Sequence, residues 1–192
     1  NYNGTASNVT YGTGVFGQAG VFNGSSSYII LPSGFSLFDS VQTVSMSLWF
    51  KRTGSLSQGE RLFGYEYIST YIPLQLDMQT SGQIQLAHRN SAGTPVVASS
   101  NTYNDGSWHN AVSVIDYSSL NIFLYIDSIF IGSASIPSGT GSSNKRVLIG
   151  ASDNPSLPVN VYNGSIDQVR IFNTALDPLE VEALYTEELC IC

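Results

Sequence analysis

Fourteen acidic residues and two histidines are available for acid–base chemistry in this chain of 192 residues, so their spacing is the first thing to read. A retaining glycosidase needs two carboxylates about 5 Å apart, projecting together as acid and nucleophile. Glu60 and Glu66 lie six apart with Arg61 and Gly64 between them, and Asp77 stands alone. The acids between Glu180 and Glu188 belong to a helix and a tail. His88 and His109 have no partners at metal-ligand spacing, and no Gly-x-Ser-x-Gly or paired Cys and His offers a nucleophile. The chain is expected to be non-catalytic.

Asp167 is the acid with the most defined surroundings. On 165–172 it is in phase with Val169 and Ile171, while Gln168 and Arg170 point the other way, which aims the carboxylate towards the core side. A dry, unpaired carboxylate there costs several kcal/mol. It must therefore meet a cation, cap backbone amides or pair with an arginine. Cys190 and Cys192 form a Cys-x-Cys too short to close on itself without strain, leaving thiols on a tail or a bond to another chain.

Aromatic and amide side chains offer binding chemistry instead. Trp49 points to the polar face of its strand, and Tyr65 and Tyr67 share a face of theirs. These rings, with the amide of Asn90 and Tyr71 nearby, are candidate sugar-stacking contacts; covering the sheet is the alternative role for them. Four Asn-x-Ser/Thr triplets occur, at Asn3, Asn8, Asn23 and Asn163, as Asn-rich turns produce by chance.

The elements that must position these residues are strands. Val44, Met46, Leu48 and Phe50 alternate with Ser45, Ser47, Trp49 and Lys51, one apolar face against one polar face. Leu74, Leu76 and Met78, then Ile84 and Leu86, then Val96 and Ala98 repeat the pattern, punctuated by Ser81-Gly82 and Ala92-Gly93. Segments 111–116 and 122–126 are expected to pair, with Ile129, Ile131 and Ala134 following a turn at Asp127-Ser128, and 147–150 forms a short strand. Segments 17–22 and 27–31 read as a hairpin around Asn23-Gly24. One helix starts at Asp177, with Pro178 in the first turn, Glu180 completing a capping box, and Leu176 and Val181 as a staple. Eighteen glycines and eleven tyrosines suit many short strands.

Composition excludes two partner classes. A net charge of −7 with only seven Lys and Arg leaves no basic stripe to neutralise phosphates, so nucleic acid is not expected. The longest apolar candidate, 120–131, is broken by Asn121 and Asp127 and falls short of the ~20 residues of a membrane span. No membrane insertion is expected.

Three ordered segments carry a family resemblance. Phe22-Asn23-Gly24 before Tyr28-Ile29, Asp105-Gly106-Ser107-Trp108-His109 before Leu124-Tyr125-Ile126-Asp127, and 162–172 before the capped helix closely resemble laminin-G-like jelly rolls of the concanavalin A-like lectin/glucanase superfamily. The resemblance implies an all-β, two-sheet antiparallel sandwich with one short C-terminal helix, a single domain over 1–192. The Asn-Tyr-Asn-Gly opening looks like the turn after a first strand, so that strand and the original N-terminus are expected to be missing. The glycosidases of the superfamily carry acids at alternating positions of one strand, and nothing here matches them. The acid before Val-Arg-Ile-Phe resembles one that binds structural calcium in lectin-like sandwiches with carbonyls of the opening segment, here Asn23 and Gly24 beside Asp167; calcium suits such mixed oxygen ligands. The first thirty residues resemble modules of phage and viral structural proteins. They imply a decoration or fibre module on an extracellular virion, partnered by other structural subunits in an oligomeric assembly and gripping cell-surface glycans; a carbohydrate-binding domain of a secreted protein is the alternative.

Overall fold

Alternation of apolar and polar residues at period two places one face of each strand inside, and the computed structural model of the protein shows where those faces meet. It describes residues 3–32, 43–66, 74–138, 146–152 and 158–187. Fourteen strands are present among them: β1 Thr5–Ser7, β2 Thr10–Thr13, β3 Gln18–Asn23, β4 Tyr28–Ile30, β5 Val44–Thr53, β6 Glu60–Glu66, β7 Leu74–Met78, β8 Gln83–Ala87, β9 Val96–Thr102, β10 Asp105–Asp116, β11 Asn121–Ile126, β12 Ile129–Ser135, β13 Arg146–Ile149 and β14 Asn163–Phe172. Helix α1, Pro178–Thr186, follows. The strands form two antiparallel sheets, β1-β4-β13-β6-β7-β8-β9 and β12-β11-β10-β5-β14-β3-β2. These are the expected sandwich and its C-terminal helix.

Between the sheets lies one apolar core. The predicted inner row of β5, Val44, Met46, Leu48 and Phe50, is buried against Leu74, Leu76, Met78, Ile84 and Leu86 of the facing sheet. Removing these side chains from water at ~25 cal/mol per Å² is what holds the sheets together.

The segment around Asn23-Gly24 departs from the expected hairpin. β3 belongs to one sheet and β4 to the other, so the turn is an arch across the sandwich. Its cause is Asn23, whose side-chain carbonyl accepts the amides of Ser25, Ser26 and Ser27 and winds the chain away from β3. A second arch at Asn8, held by the Ser27 hydroxyl on the Asn8 carbonyl, carries the chain between β1 and β2. Residues 5–13 thus give an edge strand to each sheet, pairing with β4 and β3.

Helix α1 is capped as the sequence predicts. Asp177 accepts the amides of Leu179 and Glu180 while Glu180 accepts the Asp177 amide. Its apolar face, Val181 and Leu184 with Leu176, packs on Val112, Val114, Phe123 and Tyr125, on the outer side of the second sheet.

Candidate functional site

Both tryptophans of the chain stand on that outer face. Trp49 alternates with the core residues Leu48 and Phe50, so it points outward, and Trp108 sits opposite Lys51, two positions along β5 on the same side. Tyr185 at the end of α1 stacks on Trp49 with ring centroids 5.5 Å apart and planes 16° from parallel. Ser165 of β14 flanks Lys51 on the other side. The result is a row of aromatic rings, an ammonium and a hydroxyl on a rigid sheet, the mix that binds sugar rings through their apolar faces and hydroxyls.

Two bulges aim these side chains. In β10 the register slips between Asp105 and Trp108, where Gly106 has φ +88°, a conformation that only glycine adopts easily. Asp105 accepts the Ser107 amide at 2.8 Å and fixes the loop. The next residue, His109, turns inward against Phe50 and Tyr103 and is held between two carboxylates, with Nδ1 2.7 Å from Asp127 and Nε2 3.2 Å from Asp105. The Asp127 hydrogen bond raises the imidazole above its ordinary value, desolvation opposes it, and Asp105 adds to the rise. Asp127 and Ser128 both adopt positive φ and close the β11–β12 hairpin at the expected turn, without a glycine. Asp127 also accepts the Asn110 amide, which ties that turn to β10.

The second bulge corrects the reading of Asp167. β14 slips against β5 between Asp167 and Arg170, with Gln168 at φ +47°. The phase reverses there: Ile166, Val169 and Ile171 face the core, while Asp167, opposite Trp49, faces outward. Asp167 is buried all the same, because the loop at Gly14 to Phe16 folds over it. Its oxygens accept the amides of Phe16 at 3.0 Å and Gln168 at 2.8 Å. The calcium set does not fit this geometry. Asn23 faces Asn163, four positions along β14 from Asp167, or about 13 Å at strand rise. Its side-chain carbonyl is filled by three amides, and Gly24 lies one residue beyond it, further from Asp167 along the strand pair. Among the described residues no group of three His, Cys, Asp or Glu stands where a metal could sit.

The other sugar-contact expectations separate. Tyr65 is fully buried in the core, because the inner row of β6 runs through Phe63 and Tyr65 opposite Leu76 and Leu74. Asn90 is buried at a loop, where it accepts the amides of Ala92 and Gly93 and donates to the Pro137 carbonyl at 2.8 Å. Tyr67, Tyr71, Cys190 and Cys192 lie outside the described residues. Among the described residues, Trp49 alone of the named contacts stands on the aromatic face. Trp108 was not among the expected contacts; the Asp-Gly-Ser before it is the signal for the bulge that turns it outward.

The central acids are neutralised by arginines. Glu60 takes a two-pronged bond from Arg52, at 2.8 and 2.9 Å, and the Asn163 amide. Asp77 is bonded by Arg61 and Gln75.

A laminin G-type family model, described as the concanavalin A-like lectin/glucanases superfamily, matches residues 23–182. The chain belongs to this superfamily. Comparison of its sequence with curated proteins found no match. Among solved structures, domain 4 of AbnA, an extracellular arabinanase from Geobacillus stearothermophilus in complex with arabinotriose, is 25% identical with a TM-score of 0.75, covering 94% of this chain and 82% of that one. The binding domain of Paraclostridial Mosquitocidal Protein 1 is similar at 19% identity and TM-score 0.78, over 96% and 47%. The binding domain of botulinum neurotoxin DC, in complex with rat synaptotagmin II, is similar at 15% and 0.73, over 96% and 46%. This chain spans about half the length of the two toxin domains, and those likenesses are of fold. Two of the three similar structures are named as binding domains, and the third is a domain in complex with arabinotriose.

Proposed function

We propose that this superfamily member is a non-catalytic glycan-binding module of an extracellular protein, and that it binds on the outer face bearing Trp49, Lys51, Trp108 and Tyr185. The observation that carries the reading is the gathering of both tryptophans on one outward face, supported by the likeness to a domain seen with arabinotriose. A non-catalytic role agrees with Glu60 and Asp77, whose carboxylates are held by arginines and are not paired with another acid. The test is a broad glycan array followed by calorimetry. Trp108→Ala is expected to weaken binding about tenfold, the upper range of a ring contact. Silence across the array at high protein concentration would reject the reading.

The wider setting we propose is a particle surface, with the module displayed in an assembly of structural subunits. The phage-like wording of the first thirty residues supports it. Electron microscopy of the native source, showing a lone species in place of a regular array, would overturn that setting without touching the glycan reading.

A further inference from the structure

We infer that the outer aromatic face selects acidic sugars, through Lys51. The inference rests on the glycan reading of that face and goes further by naming the ligand's charge. Cations are scarce in this chain, seven against fourteen acids, and three of the six described ones are committed to carboxylates. Arg52 is bonded to Glu60, Arg61 to Asp77, and Arg170 to Glu187. Lys51 makes no ion pair among the described residues.

Its position makes that matter. Lys51 is half-buried in the middle of a sheet, directly opposite Trp108 on one side and Ser165 on the other. Acids placed around the face are satisfied elsewhere: Asp105 and Asp127 face His109, Asp167 takes two amides, and Glu187 holds Arg170. The face therefore presents, beside an indole, an ammonium that no described carboxylate pairs with. A pyranose stacked on Trp108 with a ring carboxylate reaches that ammonium, and the Ser165 hydroxyl is available to a neighbouring sugar hydroxyl. The chain's net negative charge works against any anion at long range, but screening at physiological salt confines that to about 8 Å, so the contact charge decides. Two sources supply such a carboxylate, a hexuronic acid within a chain or a terminal sialic acid.

Titration calorimetry on the full chain tests this with oligogalacturonate against a neutral galactose oligomer of equal length, and with sialyllactose against lactose. The acidic member of one pair is expected to bind about fivefold more tightly, as an exposed charge pair allows, and the pair that shows it names the source. Lys51→Gln is expected to erase the preference, so that the acidic and neutral members of the pair bind alike, whereas Lys51→Arg keeps it. Salt of about 1 M, where the screening length is about 3 Å, is expected to erase it too. Equal affinity for acidic and neutral members, or a preference that survives Lys51→Gln, overturns the inference while the glycan reading stands. Absence of all binding overturns both.

Discussion

Asp167 shows how one side chain decides a local structure. Its carboxylate supports the loop over the sheet and the bulge beside it, one amide on each oxygen. Asp167→Ala leaves two part-buried amides without that acceptor and is expected to cost about 1 kcal/mol in chemical denaturation. Gly14→Ala is expected to be harmful at the same place, since an added Cβ would run into the Asp167 carboxylate. Calcium and a chelator are expected to leave the melting midpoint alike, because backbone N–H groups already point at the oxygens that a cation would need; a calcium-dependent rise in midpoint would contradict this. At His109 the expected signal is a pH dependence. The folded imidazole value is raised above the ordinary ~6.5, so its contribution to stability is complete below about pH 6.5 and is lost as pH rises through the folded value. Melting followed from about pH 6 to 9 should fall, and His109→Gln should flatten that fall; an NMR titration midpoint for His109 at or below that of a free imidazole would contradict the clamp.

At the scale of elements, strands whose apolar residues alternate were legible, and so was the helix, because each follows from a local period or a cap. The row Val44 to Phe50 and the box at Asp177 and Glu180 are cases where neighbouring residues alone determine the outcome. Bulges and arches were not. Gln168 takes a positive φ with no glycine to announce it, and what fixes it is the Phe16 and Gly14 loop, about 150 residues earlier in the chain. An Asn-Gly pair likewise serves a hairpin or an arch equally well, and only the serines filling Asn23 decide between them. The candidate site suffered for the same reason, since outward Trp108 and inward Tyr65 depend on register slips in β10 and β6. The loop between β5 and β6 offers an element-scale prediction. Arg52 binds Glu60 and the carbonyls of Thr53 and Ser55, and Glu60 also receives the Asn163 amide. Glu60→Gln is expected to destabilise by about 3–5 kcal/mol, because it strands a buried guanidinium. Paired replacement of Arg52 and Glu60 by apolar residues of similar volume should recover most of that loss, as measured by urea unfolding.

For the whole molecule, the placement of aromatic residues separates two tasks. The core is filled by aliphatic side chains, phenylalanines and tyrosines, whereas the indoles are kept for the outside of one sheet. Fold therefore rests on the row of aliphatic residues between the sheets, and the outer face is free to vary without endangering it. This division gives the protein a built-in optical reporter. Intrinsic tryptophan emission arises entirely from Trp49 and Trp108, so it reads the state of the outer face and the seating of α1, not the packing of the core. Trp49→Phe isolates the Trp108 signal, and Trp108→Phe isolates that of the ring under Tyr185. An oligosaccharide settling on the face should shift the first spectrum, and a mild loosening of α1 should shift the second while leaving the first close to that of the free protein. Occupancy of the face and docking of the helix thus become two colours of one measurement, with no label attached.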